Sequence, residues 1–234
     1  MPSQPIQQSD YRIRKLIGTL GLGLPILLPF SEGMLLSSMS HYYYQPLSSI
    51  IFIIILASFG LFLLSYKGYK IDSETEKISD DLLTNIGGLS ALIVVFVPTY
   101  CLESNSSIID QICTTGKYPL LGHISTVKNT IHLIFAGIFI FTMGWMSKYK
   151  FTRGEHSKRN TIYKWCGNIV WIAIGLLVVL VIIDFFNEDF QVTPYDVFLL
   201  ETLAVVPFGV SWFIKGEAME DIKGLFQNTP ITKE

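Results

Sequence analysis

Leu121–Lys148 reads LGHISTVKNTIHLIFAGIFIFTMGWMSK. From Leu133 to Trp145 it is almost wholly apolar, long enough to sit in hydrocarbon. The first half carries His123, Ser125, Thr126, Lys128, Asn129, Thr130 and His132, so one helix enters lipid depth while still polar. Ionisable groups are costly at that depth and persist where they face a protein interior or a wet cavity. The stretch therefore predicts a membrane helix whose polar half is enclosed by other helices.

Five further apolar runs are available to enclose it. A helix needs about 20 mostly apolar residues to cross a bilayer, and the chain offers 13–30, 47–66, 83–100, 121–147, 163–186 and 195–214. With only 15% charged residues and half of all residues hydrophobic, the composition departs from that of a soluble domain, where about a quarter are charged. A net charge of −2 and the lack of any basic run interleaved with aromatics exclude nucleic acid as a partner.

Lys and Arg accumulate in cytoplasmic loops. Here Arg12, Arg14 and Lys15 precede the first run, Lys67, Lys70 and Lys77 follow the second, and Lys148, Lys150, Arg153, Lys158, Arg159 and Lys164 separate the fourth from the fifth. Lys215, Lys223 and Lys233 follow the sixth, while the opposite loops hold only Lys117, with Lys128 at the mouth of the fourth run. The expected fold is an all-α, single-domain integral membrane bundle of six helices over residues 1–234, both termini cytoplasmic. Trp145, Trp165, Trp171 and Trp212 then fall near the inner boundary, and Tyr42, Tyr43, Tyr44, Tyr100, Tyr118 and Tyr195 near the outer one. RIRK before an apolar run is also the layout of a secretory signal, but no small-x-small cleavage site follows. Gly18, Gly21 and Gly23 in that run predict a close helix-packing face.

On this topology Cys101 and Cys113 lie on the oxidising side, where a disulfide persists, and Cys166 on the reducing side. Asn105-Ser106-Ser107 is a glycosylation sequon by pattern. The loop IDSETEKISDD, mixed in sign, is expected to be solvated, with Ser79 or Asp80 capping the next helix.

The candidate site residues are His132, Glu201, Lys128, Ser125, His41, Asp184, Ser40 and Tyr43. Helical spacing places Ser125, Lys128 and His132 on one face. Glu201, about two turns inside the last run, and Asp184, at the end of the fifth, fall in the same outer half of the bilayer. His41 and the tyrosines of SSMSHYYY belong to the first outer loop, where the bland reading is an interfacial aromatic anchor. The bland reading of the buried charges is an ion-pair network of Lys128 or His132 with Glu201 that only fixes packing. Ser125 and His132, roughly 10 Å apart along the axis, are no nucleophile and base. Zinc at His132 would need His41, Asp184 or Glu201 as further ligands, and no spacing supports that. No metal or other cofactor is expected.

SSMSHYYY, FVPT, the Ile131-His132 pair and ETLAVVPFGVSWFIKGE resemble an uncharacterised bacterial six-span membrane family over nearly the whole chain. More loosely, they are similar to the group containing the DRAM-type autophagy modulators and the membrane proteins of GPI-anchor lipid remodelling. That resemblance implies roles for Ser40, Pro98 and His132, and lipid handling as a theme. The alkaline ceramidase superfamily is a second comparison, but its HxxxH pair and seventh span have no counterpart here.

The function expected is a multi-pass protein of a bacterial cytoplasmic membrane whose outward-facing intramembrane pocket binds a lipid or small amphiphile. The alternatives are an intramembrane lipid hydrolase or acyltransferase and, third, a proton-coupled transporter. The expected partners are membrane lipids, with a second copy of the chain left open.

Overall fold

The computed structural model describes residues 8–68, 71, 76–102, 106–153, 157–186 and 192–217. Among them there is no strand. Seven α-helices follow in order: α1 Gln8–Glu32, α2 Ser48–Ser65, α3 Asp80–Phe96, α4 Ser107–Thr115, α5 Thr126–Trp145, α6 Ser157–Phe186 and α7 Asp196–Lys215. A 3-10 turn, Met39–Tyr44, joins α1 to α2, and a π-turn, Met146–Lys150, extends α5.

The protein is a multi-pass membrane protein by the length and composition of its helices. Five are long and apolar enough to cross a bilayer: Tyr11–Glu32, Ser48–Ser65, Thr126–Arg153, Lys158–Asp184 and Asp196–Lys215. The expected third span is shorter than its apolar run. α3 has 17 residues, about 25 Å of helix, because Pro98 pushes Val97 out of the helical region and ends it.

Helix contacts are made where a side chain is missing. A Cβ on Gly18 would stand 2.4 Å from the Phe213 nitrogen, so α1 and α7 touch backbone to backbone. One on Gly88 would stand 2.7 Å from the Gly60 carbonyl oxygen, which sets α3 against α2. α5 and α6 close at Gly144, beside the Trp171 ring. Lipid gives helices no hydrophobic reason to associate, so such close approach carries the packing.

The six longer helices alternate in direction. At one end Arg14 Nη2 donates to the Tyr66 hydroxyl at 2.8 Å and Lys215 Nζ to the Phe151 carbonyl at 3.1 Å. Beside them Glu76 and Asp80 face Lys150 and Arg153, with Arg153 Nη1 to Glu76 at 2.9 Å, Lys150 to Glu76 at 3.2 Å, and Arg153 Nη2 against Asp80. The acidic loop is therefore not simply solvated: Asp80 is 1% exposed, and its neighbour Ser79 caps α3 by accepting from Leu82 N. Trp212 departs from the expected boundary belt as well, lying fully buried between Tyr66 and Phe151.

At the opposite end the loops lock together. Cys101 and Cys113 are disulfide-bonded, and Cys166 is free and buried. Asn105 of the sequon, like Lys70, Lys223 and Lys233, lies outside the described residues. α5 begins five residues later than expected, at Thr126, with Ser125 as its cap accepting from Lys128 N at 3.4 Å. His123 is consequently in the preceding loop, its carbonyl accepting from Cys101 N at 2.6 Å.

Candidate functional site

Ser37-Ser38-Met39-Ser40-His41 is the polar centre of the molecule, and each serine has a different partner. Ser38 opens the 3-10 turn as its cap, accepting from Ser40 N at 3.1 Å. Its hydroxyl is also placed on both carboxylate oxygens of Glu201, at 3.0 and 3.1 Å, while Met39 N donates to Glu201 Oε2 at 2.6 Å. Glu201, sunk in α7, thus binds the connection rather than another charge. Phe198 N, one turn earlier on α7, donates to the Ser37 carbonyl at 2.8 Å and sets the register.

Ser40 Oγ lies 3.0 Å from His132 Nε2, and His132 Nδ1 lies 2.8 Å from the Val97 carbonyl oxygen. A carbonyl only accepts, so Nδ1 carries the proton and Nε2 is the acceptor; the Ser40 hydroxyl donates to it. The Val97 carbonyl is free for this because α3 has just ended. Pro98 therefore acts on His132 at one remove. Asn129, one turn before His132, accepts from Thr99 Oγ1 at 2.9 Å and from Tyr100 N at 3.2 Å, pinning the same segment to α5.

Ser37 Oγ and His41 Nδ1 are 2.8 Å apart, a second serine–histidine contact inside one turn. Burial, and secondarily the nearby His132 ring, holds His41 well below the ordinary imidazole value, at about 4. The three tyrosines are not a surface belt. Tyr42 donates to the Met34 carbonyl and accepts from Leu36 N; Tyr43 accepts from Leu121 N; Tyr44 donates to the Thr99 carbonyl at 2.6 Å. All three rings are buried, and burial pushes the Tyr42 and Tyr44 hydroxyls up to about 12.

Next to this centre is a cavity of about 890 Å³ walled chiefly by α5, α6 and α7, with Leu24 of α1, Phe52 and Phe59 of α2 and Val94 of α3 also lining it. Ser40, Glu201, Thr130, Asp184 and Asp196 supply its polar end, and the remainder is aliphatic and aromatic, from Leu133 and Val178 down to Phe141 and Ile174. From Thr130 to Phe141 the helical rise is about 16 Å. α5 and α6 approach closely at Gly144 and Trp171. A Cβ added at Gly137 or Gly175 meets nothing within 4 Å.

The structure brings His132, Glu201 and Ser40 to one connection and places Asp184, exposed, on the cavity wall. Lys128 is not among the lining residues: it shares a face with His132 but sits in the first turn of α5, exposed. Ser125 is a cap and Tyr43 a buried strut, so neither borders the cavity. The anticipated ion pair of Glu201 with Lys128 or His132 is replaced by hydroxyl and backbone donors. Among the described residues no three His, Cys, Asp or Glu side chains converge as a metal set. Sequence reading passed over the Val97 carbonyl, Met39 N, Gly137 and Asp196; only Pro98, which strands the carbonyl before it, was a legible signal.

Comparison of the chain with protein-family models, with curated proteins and with solved structures returned no match.

Proposed function

We propose that this membrane protein binds a lipid or single-chain amphiphile, with the acyl chain in the cavity between α5 and α6 and the head at the polar end formed by Ser40, Glu201, Asp184 and Asp196. The observation that supports the reading is the cavity itself: about 890 Å³, near the top of the usual range for ligand sites, apolar along its length and polar at one end only. An acyl chain moving from bilayer to cavity exchanges one hydrocarbon environment for another, so the wall contributes little net affinity. Selectivity rests with the head group and its hydrogen bonds.

In this reading all six longer helices cross the membrane, with 97–101 completing the α3 passage, and both termini are cytoplasmic. The end bearing Arg14, Lys150, Arg153 and Lys215 is the inner one, by the excess of positive charge on that side, and the cavity's polar end faces outward. A bacterial cytoplasmic membrane and the loose likeness to DRAM-type and GPI-anchor-remodelling proteins, through Ser40, Pro98 and His132, belong to the same proposal.

The test is photocrosslinking of the purified protein in detergent with a lysolipid carrying a diazirine on its acyl chain. Adducts are expected on cavity residues of α5 and α6 such as Leu133, Ile138 and Val178, and are lost in Gly137→Phe, whose ring fills the space. Adducts spread over Ile54, Leu61 and other outward positions of α2, unchanged by Gly137→Phe, overturn it.

A further inference from the structure

We propose that Ser40 is an acyl-accepting nucleophile with His132 as its base, so that the cavity is a site of hydrolysis or transfer of an ester-linked acyl chain. This rests on the cavity reading above and adds a reaction to it.

Three observations point there together. Ser40 lines the cavity and its hydroxyl meets His132 Nε2 at 3.0 Å, within the reach a nucleophile and base require. The Val97 carbonyl holds Nδ1–H, which leaves Nε2 as the basic nitrogen; a third group orienting the base completes the arrangement expected of an activated serine. Finally, Glu201 fixes the preceding residue through Met39 N and Ser38 Oγ, which holds Ser40 in place while leaving its hydroxyl to the imidazole. Ser37 and His41 make a similar contact, but neither lines the cavity. The reaction is therefore assigned to Ser40 alone.

In the first step Ser40 Oγ bonds to the ester carbonyl carbon and its proton passes to His132 Nε2. The bond from that carbon to the leaving alcohol oxygen breaks as the alcohol takes the proton from Nε2. In the second step water, or another alcohol, gives its proton to Nε2 and bonds to the acyl carbon, and Ser40 departs with the proton returned. No oxidant, reductant or metal enters the balance. The backbone N–H groups of Met39, Ser40 and His41 are already committed to Glu201, Ser38 Oγ and the Ser38 carbonyl, so this segment offers no oxyanion donor. One such donor is worth about 10²–10³ in rate. Turnover is then slow, and irreversible capture of Ser40 is a better readout than product release.

The experiment treats the full chain in detergent micelles with a long-chain alkyl fluorophosphonate, whose phosphorus–fluorine bond breaks as the serine oxygen–phosphorus bond forms, and maps the adduct by mass spectrometry. The expected result is one adduct, on Ser40, absent in Ser40→Ala and retained in Ser37→Ala. His132→Asn keeps a donor for the Val97 carbonyl but removes the basic nitrogen; its labelling should slow by about 100-fold or more while its circular dichroism and monodisperse elution show it folded. No adduct on folded wild-type protein, or an adduct that survives Ser40→Ala, overturns the assignment. The two readings fail separately. Cavity crosslinks without fluorophosphonate labelling reject only the chemistry, whereas Ser40 labelling that is indifferent to Gly137→Phe and to probe chain length rejects only the acyl cavity.

Discussion

Replacing Glu201 tests how the polar centre is held. In Glu201→Ala two buried donors, Met39 N–H and the Ser38 hydroxyl, lose their acceptor. Each orphaned donor costs about 1–3 kcal/mol, so the expected loss is about 4 kcal/mol. For a chain of this length about 1 kcal/mol moves the melting temperature by about 2–4 °C, which places the shift at about 8–16 °C. Glu201→Gln behaves differently. Its amide oxygen accepts from Met39 N, and its NH₂ donates to Ser38 Oγ, which still has a lone pair after accepting from Ser40 N. Only the charge assistance is lost, about 1 kcal/mol. Thermal unfolding in detergent, followed by tryptophan fluorescence, separates the two variants. If Ala and Gln melt within about 2 °C of each other, Glu201 does not anchor the loop and the reasoning fails.

Gly18→Leu drives a side chain into the Phe213 backbone and should destabilise by at least about 1–3 kcal/mol, while Gly137→Leu, facing open space, melts like wild type; size-exclusion profiles and melting curves compare them. Reduction or Cys101→Ser opens a loop of sequence separation 12 and should cost about 3 kcal/mol, seen as a lower melting temperature that reductant does not lower further in the variant. His41 binds a proton at about 4 in the folded chain and near 6.5 when unfolded. The unfolded state therefore takes up the proton first, and the stability present above pH 6.5 is lost as pH falls toward 4, by about 3 kcal/mol; in His41→Gln that acid-side slope should flatten.

The helices were legible because hydrocarbon imposes a length of apolar residues whatever their partners are. Boundaries were not. Gly122-His123-Ile124-Ser125 has enough polarity to be either a loop or the entry of a helix, and what settles it is the Ser125 cap and the bond from Cys101 N to the His123 carbonyl. Lys128 and His132 share a helix face, so periodicity alone groups them; one is exposed and the other buried because only His132 is reached by the Ser37–His41 connection. The tyrosines of SSMSHYYY fit an interfacial belt by composition, yet their hydroxyls satisfy loop backbone groups that no pattern announces. Asp80 and Arg153 lie 73 residues apart, so their pairing is a property of the packed bundle.

Glu201 and His132 meet loop donors and acceptors rather than an opposite charge, and this has a physical basis. Pairing Glu201 with Lys128 would take two charges out of water and hold a long side chain in one geometry, and buried pairs often fail to recover that desolvation. A single carboxylate met by one backbone N–H and one hydroxyl needs only one charge desolvated, with donors held by the turn itself. His132 is settled the same way, between a carbonyl stranded by Pro98 and a serine hydroxyl. Both anomalies of the sequence thus terminate on one five-residue connection, Ser37–His41, and on opposite sides of Met39. The carboxylate fixes that connection, the imidazole accepts from the serine it presents, and the proposed acyl site borders the same atom.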